Sequence, residues 1–152
     1  KLRDTGAKIS SNKNSILIEM SGKKSKAVDI KTAPYPGLPT DMQALFTALS
    51  TVSEGTCFLE ETIFENRFMH VQELKRMGAD ISVKDNIARV VGIQNLYGAE
   101  VMASDLRASA ALIIAGLVAI GETTVFGMEH TDRGYENIDL KLASLGADIV
   151  RI

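Results

Sequence analysis

The segment Leu74-Lys-Arg-Met-Gly-Ala-Asp-Ile81 recurs along the chain in related forms, and this recurrence predicts the architecture. An earlier copy is Leu2-Arg-Asp-Thr-Gly-Ala-Lys-Ile9 and a later one is Leu142-Ala-Ser-Leu-Gly-Ala-Asp-Ile149, at steps of 72 and 68 residues. In the middle copy, Gly78 stands where a helix would end in a left-handed residue. Repetition of this kind indicates a series of similar structural units.

The residues on either side of the middle copy predict a unit with the order β-α-β-α-β-β. Its predicted elements are a strand at 27–31, a helix at 42–52, a strand at 56–60, a helix at 66–77 and a hairpin at 81–91. Thr40 and Gln43 have the spacing of a capping box, so the first helix should begin there. That helix carries no charged side chain, which predicts that it is buried.

A second unit of the same kind should follow, and the end of another should precede. The second unit's predicted elements are a strand at 100–103, a helix at 105–120, a strand at 123–126, a helix at 135–145 and a strand at 148–151. A hairpin of Ile9 with residues 16–20 would end the earlier unit. We therefore expect the α/β (α+β) class and one partial domain, 1–152, made of a truncated unit's tail (1–22), a complete unit (23–92) and a second unit (93–152).

The composition excludes several broad classes of protein. Of 152 residues, 45% are hydrophobic and 17 basic residues nearly balance 19 acidic ones, which is typical of a globular domain. Such a balance gives no attraction for nucleic acid or a membrane surface, so neither is an expected partner. The uncharged run 108–121 is shorter than the roughly 18 residues that a membrane-spanning helix needs. Because Cys57 is the single cysteine, no internal disulfide can form, and we expect a cytoplasmic location.

The repetition also predicts where charged side chains converge. Asp41 and Asp105 stand at the start of the two uncharged helices, and Arg67 and Arg133 follow the second strand of their units. Since equivalent positions of stacked units lie along one edge, these residues and Arg107 should share a rim suited to a small anion. The same residue types also fit helix capping with ion pairing, and spacing alone leaves both interpretations open.

Other chemically reactive residues support no further site. Cys57 lies between apolar residues in a predicted strand, which indicates a buried and inert thiol. His70 and His130 have no ligand spacing around them, so we expect no metal site. The loop Tyr35-Pro-Gly-Leu-Pro39 matches neither a phosphate-binding nor a dinucleotide-binding fingerprint, and no cofactor is expected.

Four longer motifs resemble one enzyme family. They are Thr32-Ala-Pro-Tyr-Pro-Gly-Leu-Pro-Thr-Asp-Met-Gln43, Glu61-Thr-Ile-Phe-Glu-Asn-Arg-Phe-Met-His-Val71, Ser104-Asp-Leu-Arg-Ala-Ser-Ala110 and His130-Thr-Asp-Arg-Gly-Tyr-Glu136. In register over essentially the whole chain, they resemble the UDP-N-acetylglucosamine 1-carboxyvinyltransferases, the enolpyruvyl transferases that open bacterial peptidoglycan synthesis. The sister family of 5-enolpyruvylshikimate-3-phosphate synthases shares the fold but not the run Glu65-Asn-Arg-Phe-Met-His70.

The resemblance implies a fold and a reaction. Members of the family have two domains, each with three β-α-β-α-β-β units around a pseudo-threefold axis and the helices inside, an inside-out α/β barrel. They transfer the enolpyruvyl group of phosphoenolpyruvate to the 3-hydroxyl of UDP-N-acetylglucosamine and release phosphate. These two compounds would be the partners of the intact enzyme.

The resemblance also implies roles for individual residues. Asp41 looks like the carboxylate that contacts the sugar hydroxyl and takes its proton, and Ile63 looks like a backbone contact to the nucleotide-sugar. Arg67 and Arg133 look like the arginines that hold phosphoenolpyruvate. The family also has a cleft motif that faces the mobile loop of the other domain. This motif is matched here by Asp105, Leu106 and Arg107.

The chain departs from the family pattern in what it lacks. Cys57 does not match the motif of the family's reactive cysteine, which lies in the other domain, and the family's N-terminal substrate-binding lysine and asparagine are missing. We therefore expect a C-terminal portion that needs the missing N-terminal domain and is inactive alone. The alternative is a non-catalytic module that binds an anion or a protein through the same arginine rim. A sister transferase acting on a shikimate-type substrate is a third hypothesis.

Overall fold

Short strands and helices alternate along the chain in the computed structural model, which describes residues 1–20 and 22–152. Residue 21, inside the predicted segment 1–22, lies outside the described residues. The strands are β1 (Lys8–Ser11), β2 (Ile16–Glu19), β3 (Ile30–Lys31), β4 (Thr56–Glu60), β5 (Asp80–Lys84), β6 (Ile87–Val91), β7 (Glu100–Met102) and β8 (Thr124–Phe126). The helices are α1 (Gln43–Thr51), α2 (His70–Arg76), α3 (Leu106–Val118), α4 (Glu129–Asp132) and α5 (Ile138–Ser144). The mixed α/β class is as predicted.

The largest sheet has four strands in the order β3-β4-β6-β5. β3 and β4 are parallel, and α1 lies in the connection between them, because parallel neighbours need a crossover. β4 pairs with β6 in antiparallel register, and β5 joins β6 through a tight turn in which Asp85 adopts a φ of 54°. The predicted strand at 56–60 and the predicted hairpin at 81–91 are confirmed.

Two further pairs of strands lie before and after this sheet along the chain. β7 and β8 are parallel, with α3 in the connection between them, so α3 occupies the same place between its strands as α1. β1 and β2 form an antiparallel pair, which confirms the predicted hairpin of Ile9 with residues 16–20.

The two crossover helices, α1 and α3, pack against each other and form much of the core. α1 is buried on most sides, with Phe46 among its core residues. α3 is buried over its first half, where Leu112 is 0% exposed, whereas Ile114, Leu117 and Val118 are exposed. The predicted burial therefore holds for α1 and the first half of α3 only. In the described part of the chain, no helix is long and apolar enough to cross a membrane.

The capping box predicted at Thr40 and Gln43 is wrong. Residues Thr40–Met42 form a 3-10 turn, and α1 begins at Gln43 without a side-chain cap. The Thr40 hydroxyl donates instead to Oε2 of Glu61 at 2.8 Å. A carboxylate is a strong acceptor, so Thr40 is engaged by the neighbouring loop rather than by the helix that follows it.

The strand predicted at 27–31 is shorter than expected. Only Ile30–Lys31 forms β3, because the N–H of Phe58 in β4 donates to the carboxylate of Asp29 at 2.8 Å rather than to a backbone carbonyl. A side chain thus replaces the backbone ladder at this point.

Three boundaries in the C-terminal parts of the units also differ from prediction. The helix predicted at 66–77 begins only at His70, because Asn66 has a left-handed φ of 54°, which a right-handed helix does not accommodate. Its end at Gly78, with φ 93°, is as predicted. For the same reason the helix predicted at 135–145 begins after Asn137, whose φ is 48°. Residues 148–151 form no strand, because no strand of the described residues pairs with them.

The burial difference along α3 predicts the effect of truncating its side chains. We expect Leu112→Ala to lower the free energy of unfolding by about 2–5 kcal/mol, because it removes a fully buried side chain and leaves a cavity. Ile114→Ala on the same helix should cost roughly 1 kcal/mol or less, because that side chain is 42% exposed. Denaturant unfolding of both variants measures the difference; equal losses would contradict the assigned packing of α3.

Candidate functional site

Three of the predicted rim residues lie in contact. Nε of Arg107 donates to Oδ1 of Asp41, and Nη1 of Arg67 lies 3.8 Å from the same oxygen. We call these three residues the Asp41 cluster. Because two guanidinium groups face one carboxylate, the cluster has a net positive charge and can attract an anion.

The fold brings these side chains together from three elements. Asp41 lies in the 3-10 turn before α1, and Arg107 lies in the first turn of α3. Because α1 and α3 pack side by side, these two positions meet at one end of the helix pair. Arg67 comes from the irregular loop 61–69, which connects β4 to α2.

Arg67 is held by its own loop in an orientation that leaves a buried nitrogen of its guanidinium without a hydrogen bond to the described part of the chain. Its guanidinium lies over the ring of Phe64, 4.2 Å from the ring centroid, in a cation–π contact. Its Nη1 is buried and makes no hydrogen bond to any described residue. A buried donor without an acceptor is costly, so this nitrogen is suited to receive an anionic ligand.

Asp105 has a capping role rather than a place in the cluster. Its carboxylate accepts the backbone N–H groups of Arg107 at 2.8 Å and Ala108 at 3.1 Å, and Ser104 donates to it at 3.3 Å. Burial acts to raise the pKa of Asp105, but these hydrogen bonds and the charge of Arg107 together lower it. Asp105 therefore stays ionised and fixes the start of α3, which is the capping interpretation that the spacing had left open.

His70, at the start of α2, is a buried neutral group close to this site. Burial lowers its pKa from 6.5 to about 4, although the negative charge of Asp105 acts to raise it. Its Nε2 is buried and has no hydrogen-bond partner among the described residues. The ring therefore carries no charge near pH 7.

A groove of about 630 Å³ lies beside loop 61–69, lined by residues 61–68 with Asp85 and Asn86. Ile63 and Arg67, both predicted site residues, belong to this lining. The N–H of Ile63 already donates to Oε1 of Glu61 at 2.8 Å. A backbone contact from Ile63 to a ligand would therefore use its carbonyl oxygen.

The remaining predicted rim residue, Arg133, is not part of the Asp41 cluster. It follows α4 directly and is exposed, rather than standing at the start of the predicted helix 135–145. None of the ion pairs of the described residues includes it. Its neighbour Gly134 packs closely on Leu106, since a Cβ at position 134 would lie 2.9 Å from Cδ2 of Leu106. The chain around Arg133 therefore passes the first residue of α3.

Cys57 is fully buried in β4, as predicted. Burial is the main cause that raises its pKa, and the charge of Asp29 acts in the same direction, while hydrogen bonds from Ser50 and Val28 oppose them. A buried thiol with a raised pKa is a weak nucleophile. Across residues 1–20 and 22–152, no three His, Cys, Asp or Glu side chains lie close enough to hold a metal ion.

Reasoning from the sequence missed Glu61 and Phe64 as parts of this site, and dismissed His70 as only a failed metal ligand. Glu61 directly follows another glutamate, Glu60, which is half-buried at the end of β4, and nothing in the sequence pattern separates the two. Position 64 lies between the predicted strand 56–60 and the predicted helix 66–77 and received no assignment, although a phenylalanine three residues before an arginine is compatible with a cation–π pair.

Comparison with known proteins identifies the family. Residues 1–142 match the family described as EPSP synthase (3-phosphoshikimate 1-carboxyvinyltransferase).

The chain belongs to this family.

Within the EPSP synthase family, its curated relatives include UDP-N-acetylglucosamine 1-carboxyvinyltransferases. The one from Shewanella baltica is 58% identical over 99% of this chain, and the one from Shewanella frigidimarina is 57% identical over all of it. The chain spans 36% of the length of each of these relatives.

Solved structures of the family agree with the fold. The enolpyruvyl transferase NikO from Streptomyces tendae aligns with a TM-score of 0.90 at 30% identity, over 98% of this chain and 34% of its own. EPSP synthase from Acinetobacter baumannii aligns over 81% of this chain and 30% of its own, with a TM-score of 0.62 at 20% identity, and shows likeness of fold alone.

The lowered pKa of His70 predicts a pH dependence of stability. The imidazole of His70 has a pKa of about 6.5 in the unfolded chain and of about 4 in the folded chain. Between these two pH values, unfolding is therefore accompanied by the uptake of a proton. The free energy of unfolding should therefore fall by about 2 kcal/mol between pH 7 and pH 5 through this group.

His70→Gln should remove this part of the pH dependence, as followed by denaturant unfolding at each pH. His130→Gln, at a partly exposed histidine, is the matched control and should keep it. A His70→Gln profile that runs parallel to the parent's would show that His70 does not resist protonation in the folded chain.

Proposed function

We propose that this chain supplies one wall of the site of an enolpyruvyl transferase. The reaction would move the enolpyruvyl group of phosphoenolpyruvate to the 3-hydroxyl of UDP-N-acetylglucosamine and release phosphate, in peptidoglycan synthesis. The observation that carries the proposal is the Asp41 cluster, a carboxylate and two guanidinium groups at the meeting point of α1, α3 and loop 61–69. Support comes from the 58% identity to a protein named for this reaction.

Arg67 would bind phosphoenolpyruvate, which carries a carboxylate and a phosphate. A guanidinium group presents its donors in a planar fork that matches both anionic groups. The buried Nη1 of Arg67 is available for such a bond, because the described residues give it no acceptor. Arg133 would add a second guanidinium group from the segment that passes Leu106.

Asp41 would accept the proton of the sugar 3-hydroxyl as that oxygen bonds to the enolpyruvyl carbon. Its side chain is 64% exposed, so a substrate in the cleft can reach it. An anionic substrate would compete for Arg67 and Arg107 and so free the carboxylate for the hydroxyl. Positioned bases of this kind contribute typically 10²–10⁴-fold to the rate.

The nucleotide-sugar would lie in the groove beside loop 61–69 and receive a contact from the carbonyl of Ile63. Asp105 would act by capping α3, which holds Leu106 and Arg107 at the cleft. The other wall would come from a further domain of the transferase, and the cytoplasm is the expected location. The complete arrangement would be the inside-out α/β barrel with three units. Without the opposing wall the site would lack orientation and shielding from water, so we expect no turnover by this chain alone.

A chimaera tests the proposal. Residues 1–152 would replace the matching 36% of the Shewanella baltica relative, and phosphate release would be followed with phosphoenolpyruvate and UDP-N-acetylglucosamine. Turnover by the chimaera, with none by the chain alone, is the expected result. A chimaera that melts cooperatively but shows no turnover would contradict it. If the chain alone then bound phosphoenolpyruvate as a monomer, a non-catalytic anion-binding module would be the better description.

Asp41→Asn in the active chimaera tests the role of the carboxylate. We expect kcat to fall by about 10²–10⁴-fold, because the amide cannot take the hydroxyl proton, while the melting temperature changes little. Asp80→Asn, an exposed position in β5, is the matched control and should leave kcat unchanged. A near-normal rate for Asp41→Asn would remove Asp41 from the reaction.

A further inference from the structure

Glu61, the residue after β4, carries a carboxylate that is almost completely buried, with 2% of the residue exposed. Four donors surround it. Oε1 accepts the hydroxyl of Thr32 at 2.9 Å and the N–H groups of Ile63 at 2.8 Å and Phe64 at 3.2 Å, and Oε2 accepts the hydroxyl of Thr40 at 2.8 Å. In the described part of the chain no cation pairs with it.

These donors come from two of the three segments that carry the Asp41 cluster, the connection that contains Asp41 and the loop that contains Arg67. Thr40 directly precedes Asp41 in the 3-10 turn, and Thr32 follows β3 at the start of the same connection. Ile63 and Phe64 belong to loop 61–69, where the Phe64 ring supports the guanidinium of Arg67. One buried carboxylate therefore joins the turn that presents Asp41 to the loop that presents Arg67.

The backbone of Glu61 is fixed from the other side. Its N–H donates to the carbonyl of Asn86 at 2.9 Å, and the Asn86 amide donates to the Glu61 carbonyl, also at 2.9 Å. Thr62 adds two bonds to Thr32, through its N–H at 2.9 Å and its hydroxyl at 2.6 Å. The backbone that carries the carboxylate is thus anchored to the β5–β6 turn, which holds the carboxylate close to its donors.

The hydrogen bonds keep this group ionised in spite of its burial. Burial acts to raise the pKa of Glu61, but the hydrogen bonds from Ile63, Thr40, Thr32 and Phe64 outweigh it and hold the pKa below its ordinary value. The groups that face the carboxylate are hydroxyls and amides, so it is stabilised by dipoles.

We propose that Glu61 is a positioning residue, whose buried carboxylate holds Asp41 and Arg67 at the spacing that the reaction needs. Its importance for the reaction rests on the proposed function, whereas its effect on the geometry of loop 61–69 does not. It would not reach the substrates itself, because only 2% of the residue is exposed and both of its oxygens already accept hydrogen bonds.

Glu61→Gln separates charge from shape. The amide oxygen can still accept from Thr32, Ile63 and Phe64, and the Thr40 hydroxyl can turn to accept from the amide nitrogen. What disappears is the negative charge that strengthens each bond. Glu60→Gln is the matched control, because Glu60 is the adjacent residue and its carboxylate pairs with Lys31 near the surface.

The first measurement uses the 152-residue chain and NMR, independent of any activity. As the pH falls below about 4.3, protonation of Glu61 should shift the amide signals of Ile63 and Phe64 together, with a midpoint below that of an ordinary glutamate. Glu61→Gln should abolish this titration and move the Arg67 Nε–H signal, because the guanidinium leaves the face of the Phe64 ring. Glu60→Gln should keep both. Unchanged Arg67 and amide signals in Glu61→Gln would overturn the proposal.

The second measurement uses the active chimaera at pH 7. We expect Glu61→Gln to lower kcat/KM by about tenfold to a hundredfold, with a higher KM for phosphoenolpyruvate as well as a lower kcat, since both Arg67 and Asp41 shift. Glu60→Gln should match the parent. Parent-like kinetics for Glu61→Gln would refute its role in the reaction.

The two measurements keep the two proposals apart. A folded but inactive parent chimaera would count against the transferase function, and the NMR result would then decide the positioning role alone. If the Glu61→Gln chain failed to fold, the same NMR measurement would be made on Glu61→Asp. This variant keeps the charge but is one methylene shorter, so the Ile63 and Phe64 amides should still titrate while the Arg67 signal moves. An Arg67 signal that did not move would refute the positioning role.

Discussion

The packing of α1 against α3 is the contact on which the rest of the chain depends. Each helix joins two parallel strands, so its direction determines where those strands end and where the following loop starts. Both helices lack charged side chains over their buried lengths, and charged groups therefore stand only at their beginnings. Asp41 before α1 and Arg107 in the first turn of α3 meet as a direct result of this packing. Electrostatic attraction then refines a contact that burial of apolar surface has already produced.

Asp41 and Asp105 show how two equivalent positions acquire different roles. Both precede a crossover helix, but α3 begins directly after Asp105, so two free N–H groups point at its carboxylate. Before α1 the chain makes a 3-10 turn instead, and Asp41 makes no capping bond. Its carboxylate is therefore left for the side chains of Arg67 and Arg107. One turn of backbone thus separates a structural carboxylate from an exposed one that faces two guanidinium groups.

Local patterns were enough to predict β4, the β5–β6 hairpin and the helix end at Gly78, because alternation, a two-residue turn and a glycine each leave a mark in the sequence. The repeat predicted a shared rim of five residues, of which Asp41, Arg67 and Arg107 lie in contact. The helix starts at 66 and 135 could not be predicted correctly, because Asn66 and Asn137 adopt left-handed conformations that asparagine tolerates without interrupting a helical pattern of side chains. The separation of Arg133 from the cluster was equally hidden, because Arg133 directly follows the short helix α4, which the side-chain pattern did not predict.

Buried ionisable groups explain why loop 61–69 is a loop. His70 and Cys57 are buried, and few hydrogen bonds would stabilise their charged forms. Burial therefore lowers the pKa of His70 and raises that of Cys57, so that both side chains stay neutral. Glu61 is buried as deeply but receives four donors, two of them the N–H groups of Ile63 and Phe64. Satisfied in this way, those N–H groups need no carbonyl partner of the kind that a helix or strand supplies. By accepting their hydrogen bonds, the carboxylate stabilises the irregular path of residues 61–64, which leads on to Arg67 and its contact with Asp41.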